Sequence, residues 1–269
     1  MTSSASPDFD DNPLLNYFLR NGGRQIHKWV DYFEVYHRTF QRFRGKPVKM
    51  LEIGVQNGGS ATMWRDYFGP QATIIGVDVD PRCKALEVEG FEIWIGDQAD
   101  PDFWRGLLAQ HPGFDIVLDD GGHTMVQQIT TFNALFPALN NHGVFLCEDT
   151  HTSYFPAYGG GLRREGSFHE YVKGLIDDMH AWYHAPASTL PSGRAPELPG
   201  REPGRLAQAY LAQHLYGLAV YDSMVMVEKR RKNPPLVLAR GFHAHAPNPD
   251  STSYLDMRRA CGIPDEGLA

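Results

Sequence analysis

Short apolar runs bounded by turn residues recur through the middle of this chain. Val48-Lys49-Met50-Leu51-Glu52-Ile53-Gly54-Val55 is the first, followed by Ala72 to Val79, Phe91 to Ile95, Asp115 to Leu118 and Gly143 to Cys147. Runs of this length and make-up predict buried strands. Between them apolar positions fall three and four apart: from Gly58-Gly59-Ser60 through Trp64 and Tyr67, and again over Met125 to Leu139. Strand and helix in alternation imply βαβ units. The expected architecture is a Rossmann-like, doubly wound α/β fold with a mostly parallel, seven-stranded sheet. A C-terminal antiparallel β-hairpin is expected where Leu215 to Tyr221 and Met224 to Val227 flank the turn residues Asp222-Ser223.

The flanks read differently. From about Leu14 to Phe43 the pattern is helical and aromatic, with Trp29, Tyr32, Phe33, Tyr36 and Phe40 predicted to pack on the sheet. After the fifth strand, Tyr154 to Gly161 combines aromatic residues with glycines, which suits a substrate lid, and Phe168 to Trp182 predicts another helix. Residues 185–205 are rich in Pro, Gly and Arg and predict a loop insertion; residues 233–269 are Pro-rich and weakly periodic. The expected organisation is a flexible arm over 1–13, a helical segment over 14–47, a cofactor-binding domain over 48–232 and a tail over 233–269.

Charge and composition narrow the function classes. A formal net charge of −7 leaves no broad basic surface for nucleic acid or an anionic membrane. No apolar run approaches the ~18–20 residues that span a bilayer. The N-terminal stretch MTSSASPDFDDNP lacks the basic and apolar regions of a signal peptide, so a soluble, cytoplasmic protein is expected. Cys83, Cys147 and Cys261 are far apart, which indicates neither a disulfide framework nor a zinc–thiolate site.

The chemistry-bearing residues follow the predicted strands. The fourth runs into Asp119-Asp120-Gly121-Gly122-His123 and the fifth into Glu148-Asp149. Neighbouring strands of an open α/β sheet deliver such residues into one crevice. Carboxylates crowded there repel unless protonated or neutralised by a cation, which predicts a hard divalent metal site beside a titratable histidine. His123, three residues after Asp120, is the favoured base, with His151 the alternative. Asp119 either bonds a cofactor ammonium group or supports the loop backbone. On the other side, Glu52 to Ser60 is a glycine-containing first βα turn. Gln56 stands where G-x-G-x-x-G needs its second glycine, which argues against NAD. Asp78, ending the second strand, suits ribose hydroxyls; Asp97, ending the third, suits an adenine amino group, with Gln98 beside it.

Taken together, Glu52-Ile53-Gly54-Val55, Gly96-Asp97-Gln98, Asp119-Asp120-Gly121-Gly122-His123, Glu148-Asp149-Thr150 and Tyr221-Asp222-Ser223-Met224 carry a resemblance. From about residue 26 to 230 the chain resembles the class I S-adenosylmethionine-dependent methyltransferases. It is most similar to the metal-dependent sugar O-methyltransferases of antibiotic biosynthesis, the macrolide-sugar and rhamnosyl type, related to the cephalosporin hydroxylase-like group. The resemblance implies S-adenosyl-L-methionine as cofactor, with Glu52, Gly54, Ser60, Asp78 and Asp97 around it. It implies a magnesium-like ion held by Asp120, Glu148 and Asp149, with His123 as general base, and a glycosylated small molecule as acceptor. The competing classes are a catechol O-methyltransferase, an NAD-dependent oxidoreductase and a non-catalytic partner subunit. An evident proton-relay Tyr/Lys pair is lacking for the oxidoreductase, and an intact carboxylate set counts against the non-catalytic subunit. The N-terminal aromatic helix and the tail are candidate surfaces for homo-oligomer assembly.

Overall fold

Each run predicted as a strand is one in the computed structural model, which describes residues 12–88, 90–185 and 206–233. The strands are β1 (Lys49–Ile53), β2 (Thr73–Asp78), β3 (Phe91–Ile95), β4 (Phe114–Asp119), β5 (Leu139–Cys147), β6 (Leu215–Tyr221) and β7 (Met224–Lys229). They form one seven-stranded sheet in the order β3-β2-β1-β4-β5-β7-β6. The first five run parallel, and β7 pairs antiparallel with both β5 and β6. β5 starts four residues before the apolar run, because Asn140-Asn141-His142 are exposed on the strand and hide it from an apolar count. The arm (apart from its last two residues), the 185–205 insertion beyond Ala185 and the tail beyond Asn233 lie outside the described residues.

Alternation along the strands divides the core between two faces. Met50, Ile74, Ile116, Leu118, Val144 and Leu146 meet α1 (Pro13–Arg20), α2 (Tyr32–Phe40) and α3 (Gly59–Phe68). Leu51, Ile53, Ile75, Val117 and Phe145 meet α4 (Pro101–Gln110), α5 (Met125–Leu135), α6 (Phe168–Met179) and α8 (Gln208–His214). A short α7 (Ala181–His184) follows α6. The sheet is therefore doubly wound. The strand order reverses between β1 and β4, the point where ligands bind in sheets of this kind. Among the described residues no helix is long and apolar enough to cross a membrane.

Two helical expectations are corrected. The stretch from Leu14 to Phe43 is two main helices, α1 and α2, separated by an extended strap over 21–31. Asn21 ends α1: its Oδ1 accepts from Gly23 N–H at 3.0 Å, its Nδ2 donates to the Arg24 carbonyl at 2.8 Å, and two glycines follow. That is turn chemistry strong enough to outweigh the aromatic periodicity around it. Trp29 consequently lies on the strap, 47% exposed, while Tyr32, Phe33, Tyr36 and Phe40 are buried as expected. The helix predicted over Phe168 to Trp182 breaks at His180, and Ile176, expected on its buried face, is 45% exposed.

Candidate functional site

The carboxyl ends of β1 to β5 open into one cavity of about 560 Å³, roofed on one side by Gln25 to Trp29 of the strap. Its shape depends on glycines at two close approaches. Gly54, directly after β1, has φ +95°, and a Cβ there would stand 2.0 Å from the Asp120 carbonyl oxygen. Gly59, opening α3, would place a Cβ 2.3 Å from the Gln25 carbonyl oxygen. The first contact joins the β1 and β4 exits; the second lays the strap on the start of α3. Neither neighbour is a flexible side chain, so any larger residue would have to move backbone.

On the β1–β3 side, Asp78 organises the wall. Its Oδ2 accepts the Val55 and Gln56 N–H groups, each at 2.9 Å, and its Oδ1 accepts that of Asp80 at 2.9 Å. Asp97 lines the cavity, exposed, with Oδ1 accepting from Ala99 N–H at 2.8 Å. Gln98 also lines it but is committed internally. Its Nε2 donates to Asp119 Oδ1 at 3.0 Å and Thr131 Oγ1 at 3.1 Å, and its Oε1 accepts from Gly122 N–H at 2.7 Å. Ser60 lines the cavity, while Glu52 lies behind the wall, buried, accepting from Ser60 Oγ at 2.8 Å and Trp64 Nε1 at 2.9 Å. Asp119 is likewise outside the lining and fully buried. Burial pushes its carboxyl up to about 7, against the downward pull of Gln98 and the Gly121 N–H. Of the two expectations for Asp119, loop support is the one its contacts fit.

The β4 and β5 ends gather the other set. His123, at φ +57°, turns Nε2 to 3.5 Å from Asp149 Oδ2 and 3.9 Å from Asp120 Oδ1. One atom from each of Asp120, His123 and Asp149 lies within 4.8 Å of the others. The second carboxylate oxygen of each acid is already held: Lys28 Nζ donates to Asp120 Oδ2 at 2.5 Å, and Tyr32 Oη donates to Asp149 Oδ1 at 2.6 Å. Two carboxylates, each fixed through one oxygen and turning the other to the same place beside His123 Nε2, form an oxygen donor set that fits a hard divalent cation. Glu148, expected as a third ligand, lines the same cavity with its carboxylate engaged elsewhere: Oε1 accepts from Tyr36 Oη at 2.5 Å, and both oxygens accept from Lys28 at 3.1 and 3.0 Å. Burial and the Asp120 charge push Glu148 well above the usual carboxylate range, with Lys28 and Tyr36 opposing.

The loop after β5 is braced from outside. Thr150 N–H donates to the Ser223 carbonyl at 3.0 Å, and His151 Nδ1 lies 2.6 Å from Ser223 Oγ, which ties the hairpin turn to the acidic end. His151, the alternative base, stacks on Trp29 with ring centroids 5.1 Å apart and is not among the residues that line the cavity. Sequence reasoning missed Lys28, Tyr32 and Tyr36. The signal was there in part: two tyrosines four apart in a face otherwise built of phenylalanines carry hydroxyls that need partners once buried.

No family model matches the chain. It is 36% identical over 217 residues to 8-demethyl-8-(2-methoxy-alpha-L-rhamnosyl)-tetracenomycin-C 3'-O-methyltransferase of Streptomyces olivaceus, covering 76% of this chain and 50% of that protein. It is 32% identical over 237 residues to demethylmacrocin O-methyltransferase of Streptomyces fradiae, covering 84% of this chain and 54% of that protein. The chain thus spans about half the length of the curated relatives it matches. A solved structure of MycE methyltransferase from the mycinamycin biosynthetic pathway, in complex with Mg and SAH, superposes with a TM-score of 0.65 at 29% identity, over 89% of this chain and 58% of that one. By sequence and by fold, the chain belongs to the class I S-adenosylmethionine-dependent methyltransferases, in the branch that holds these sugar O-methyltransferases.

Proposed function

We propose that this chain transfers a methyl group from S-adenosyl-L-methionine to a sugar hydroxyl of a glycosylated natural product, with dependence on magnesium or another hard divalent cation. The observation that carries this reading is the convergence of Asp120, His123 and Asp149 at the β4/β5 end of a cavity whose β1–β3 end holds Asp78 and Asp97. The Streptomyces olivaceus relative is named for a rhamnosylated acceptor, and the MycE complex holds Mg and SAH. Bound there, the cofactor supplies an electrophilic methyl group, and the cation supplies a Lewis acid that orients and acidifies the acceptor hydroxyl.

The chain's own residues take the following parts. Gly54 lets the β1–α3 turn approach the cofactor, Asp78 fixes that turn and faces the ribose, and Asp97 faces the adenine. Ser60 and Gln98 complete that wall. Asp120 and Asp149 hold the cation, with Glu148 joining them when its carboxylate is released. His123 accepts the hydroxyl proton at Nε2, and the two carboxylates within 3.5 and 3.9 Å of that nitrogen stabilise the imidazolium that forms. Trp29, half exposed on the cavity lining and stacked on Tyr32 and His151, gives the acceptor an aromatic surface to pack against.

Calorimetric titration of metal-stripped protein tests the reading, followed by transfer of a labelled methyl group to a panel of glycosides. S-adenosylmethionine is expected to bind in the micromolar range while NAD does not, and labelling of a glycoside is expected only with Mg²⁺. Binding of NAD instead, or transfer that is undiminished in chelator, would overturn it.

A further inference from the structure

A lysine lies inside the acidic cluster. The Lys28 side chain is only 4% exposed, and its Nζ donates to Asp120 Oδ2 at 2.5 Å and to Glu148 Oε1 and Oε2 at 3.1 and 3.0 Å. Burial alone would lower its pKa, but the charges of Asp120, Glu148 and Glu52 outweigh it and hold the ammonium above its usual range. Asp120, Glu148 and Asp149 carry three carboxylates, and Lys28 is the ammonium that two of them share. A hard divalent cation prefers those same oxygens. Two cations cannot sit within ordinary ligand distance of both carboxylates without strong mutual repulsion, because the low-dielectric surroundings screen them poorly.

We propose that Lys28 is a tethered counter-cation of the metal site: in the metal-free protein its ammonium holds the seat between Asp120 and Glu148, and an entering divalent cation displaces it. This inference rests on the metal-dependent reading above. The tether is built for such an exchange. The strap carrying Lys28 has anchors that do not involve the acidic cluster: Arg24 donates to the Leu86 carbonyl at 2.8 Å, Asn57 donates to Gln25 Oε1 at 3.1 Å, and the backbone at Arg24 and Gln25 lies against Gly59. Withdrawal therefore needs rotation of one four-carbon side chain and leaves the cavity roof in place. Lys28 keeps the carboxylates gathered before metal arrives, at the cost of weaker metal binding. It is a positioning residue of the site.

The test is a Mn²⁺ titration followed by electron paramagnetic resonance, on wild type, Lys28→Met and Lys28→Arg, with cofactor affinity as a check on folding. Removing a competitor that makes charged hydrogen bonds to two ligands is expected to tighten Mn²⁺ binding by on the order of tenfold or more in Lys28→Met. Lys28→Arg, which retains the charge, is expected to bind no more tightly than wild type. Equal or weaker binding by the Met variant would overturn the role of Lys28 and leave the metal-dependent reading standing. Failure of both wild type and the Met variant to bind Mn²⁺ would overturn that reading together with this one. Wild type alone gives a second measure: amine acetylation read by mass spectrometry should modify Lys28 slowly in metal-free protein and faster at saturating Mg²⁺. Unchanged protection at saturation would also overturn the proposal.

Discussion

At the scale of single residues, the site's chemistry turns on where each carboxylate spends its second oxygen. Asp120 gives one to Lys28 and Asp149 gives one to Tyr32, so each turns a single oxygen toward His123 Nε2. An imidazole between two such oxygens can serve as base or as ligand, and the two roles separate on substitution. With His123 as base, His123→Ala is expected to lower turnover by roughly 10²–10⁴-fold while Mn²⁺ affinity changes little. A loss of affinity as large as the loss of turnover would make the imidazole a ligand. The acidic half of this site was legible in sequence because Asp119-Asp120 and Glu148-Asp149 each follow an apolar run, and a strand end is where such residues become a site. Lys28, Tyr32 and Tyr36 were not legible. They reach the cluster from an element 92 to 120 residues away for Lys28 and 112 to 117 for the tyrosines, across contacts that no local spacing encodes. The same limit applies to Gln98 and Glu52, whose side chains brace Gly122, Asp119, Ser60 and Trp64 behind the cavity wall.

At the scale of elements, the five parallel strands were readable because buried strands are nearly continuous apolar runs. The strap was not, because aromatic residues at three- and four-residue spacing continue on either side of the Asn21-Gly22-Gly23 turn. The element that does most for the site is α5. Its start is closed by a capping box: Gln127 N–H donates to Thr124 Oγ1 at 3.3 Å, and Thr124 N–H donates to Gln127 Oε1 at 3.1 Å. His123 immediately precedes this cap with φ +57°, a conformation that costs a non-glycine residue of order 1–3 kcal/mol and persists only where its surroundings enforce it. The cap and the Thr152 Oγ1 contact to the His123 carbonyl at 2.9 Å are that enforcement. Thr124→Ala is therefore expected to lose about 1 kcal/mol of stability in urea denaturation. It should also lower turnover beyond that loss by freeing His123. Thr124→Ser, which keeps the hydroxyl, should recover most of both. Recovery of stability without recovery of turnover would place the control of His123 elsewhere.

At the scale of the whole molecule, the sheet sets apart the two ends of one cavity. Asp97 follows β3 and Asp149 follows β5, four strand spacings apart in the order β3-β2-β1-β4-β5, or roughly 19 Å at the usual spacing between strands. The topological switch between β1 and β4 lies between them, and there Gly54 and the Asp120 backbone pack within contact distance. Under the proposed reading Asp97 would face the nucleoside end of the cofactor and Asp149 would hold the cation, on opposite sides of the switch. Groups so far apart with no shared hydrogen-bond partner should act independently in binding. Asp97→Ala is expected to weaken S-adenosylmethionine binding by on the order of tenfold in calorimetry, the scale of one lost charge-assisted hydrogen bond, with Mn²⁺ affinity unchanged. Asp149→Asn is expected to do the reverse, weakening Mn²⁺ in resonance titrations by a similar factor or more while leaving the cofactor affinity intact. Both variants should lose turnover, because either end alone leaves nothing for the other to react with. If Asp149→Asn instead released the cofactor, or Asp97→Ala released the metal, the cavity would be one coupled site, and the division drawn along the strand order would be wrong.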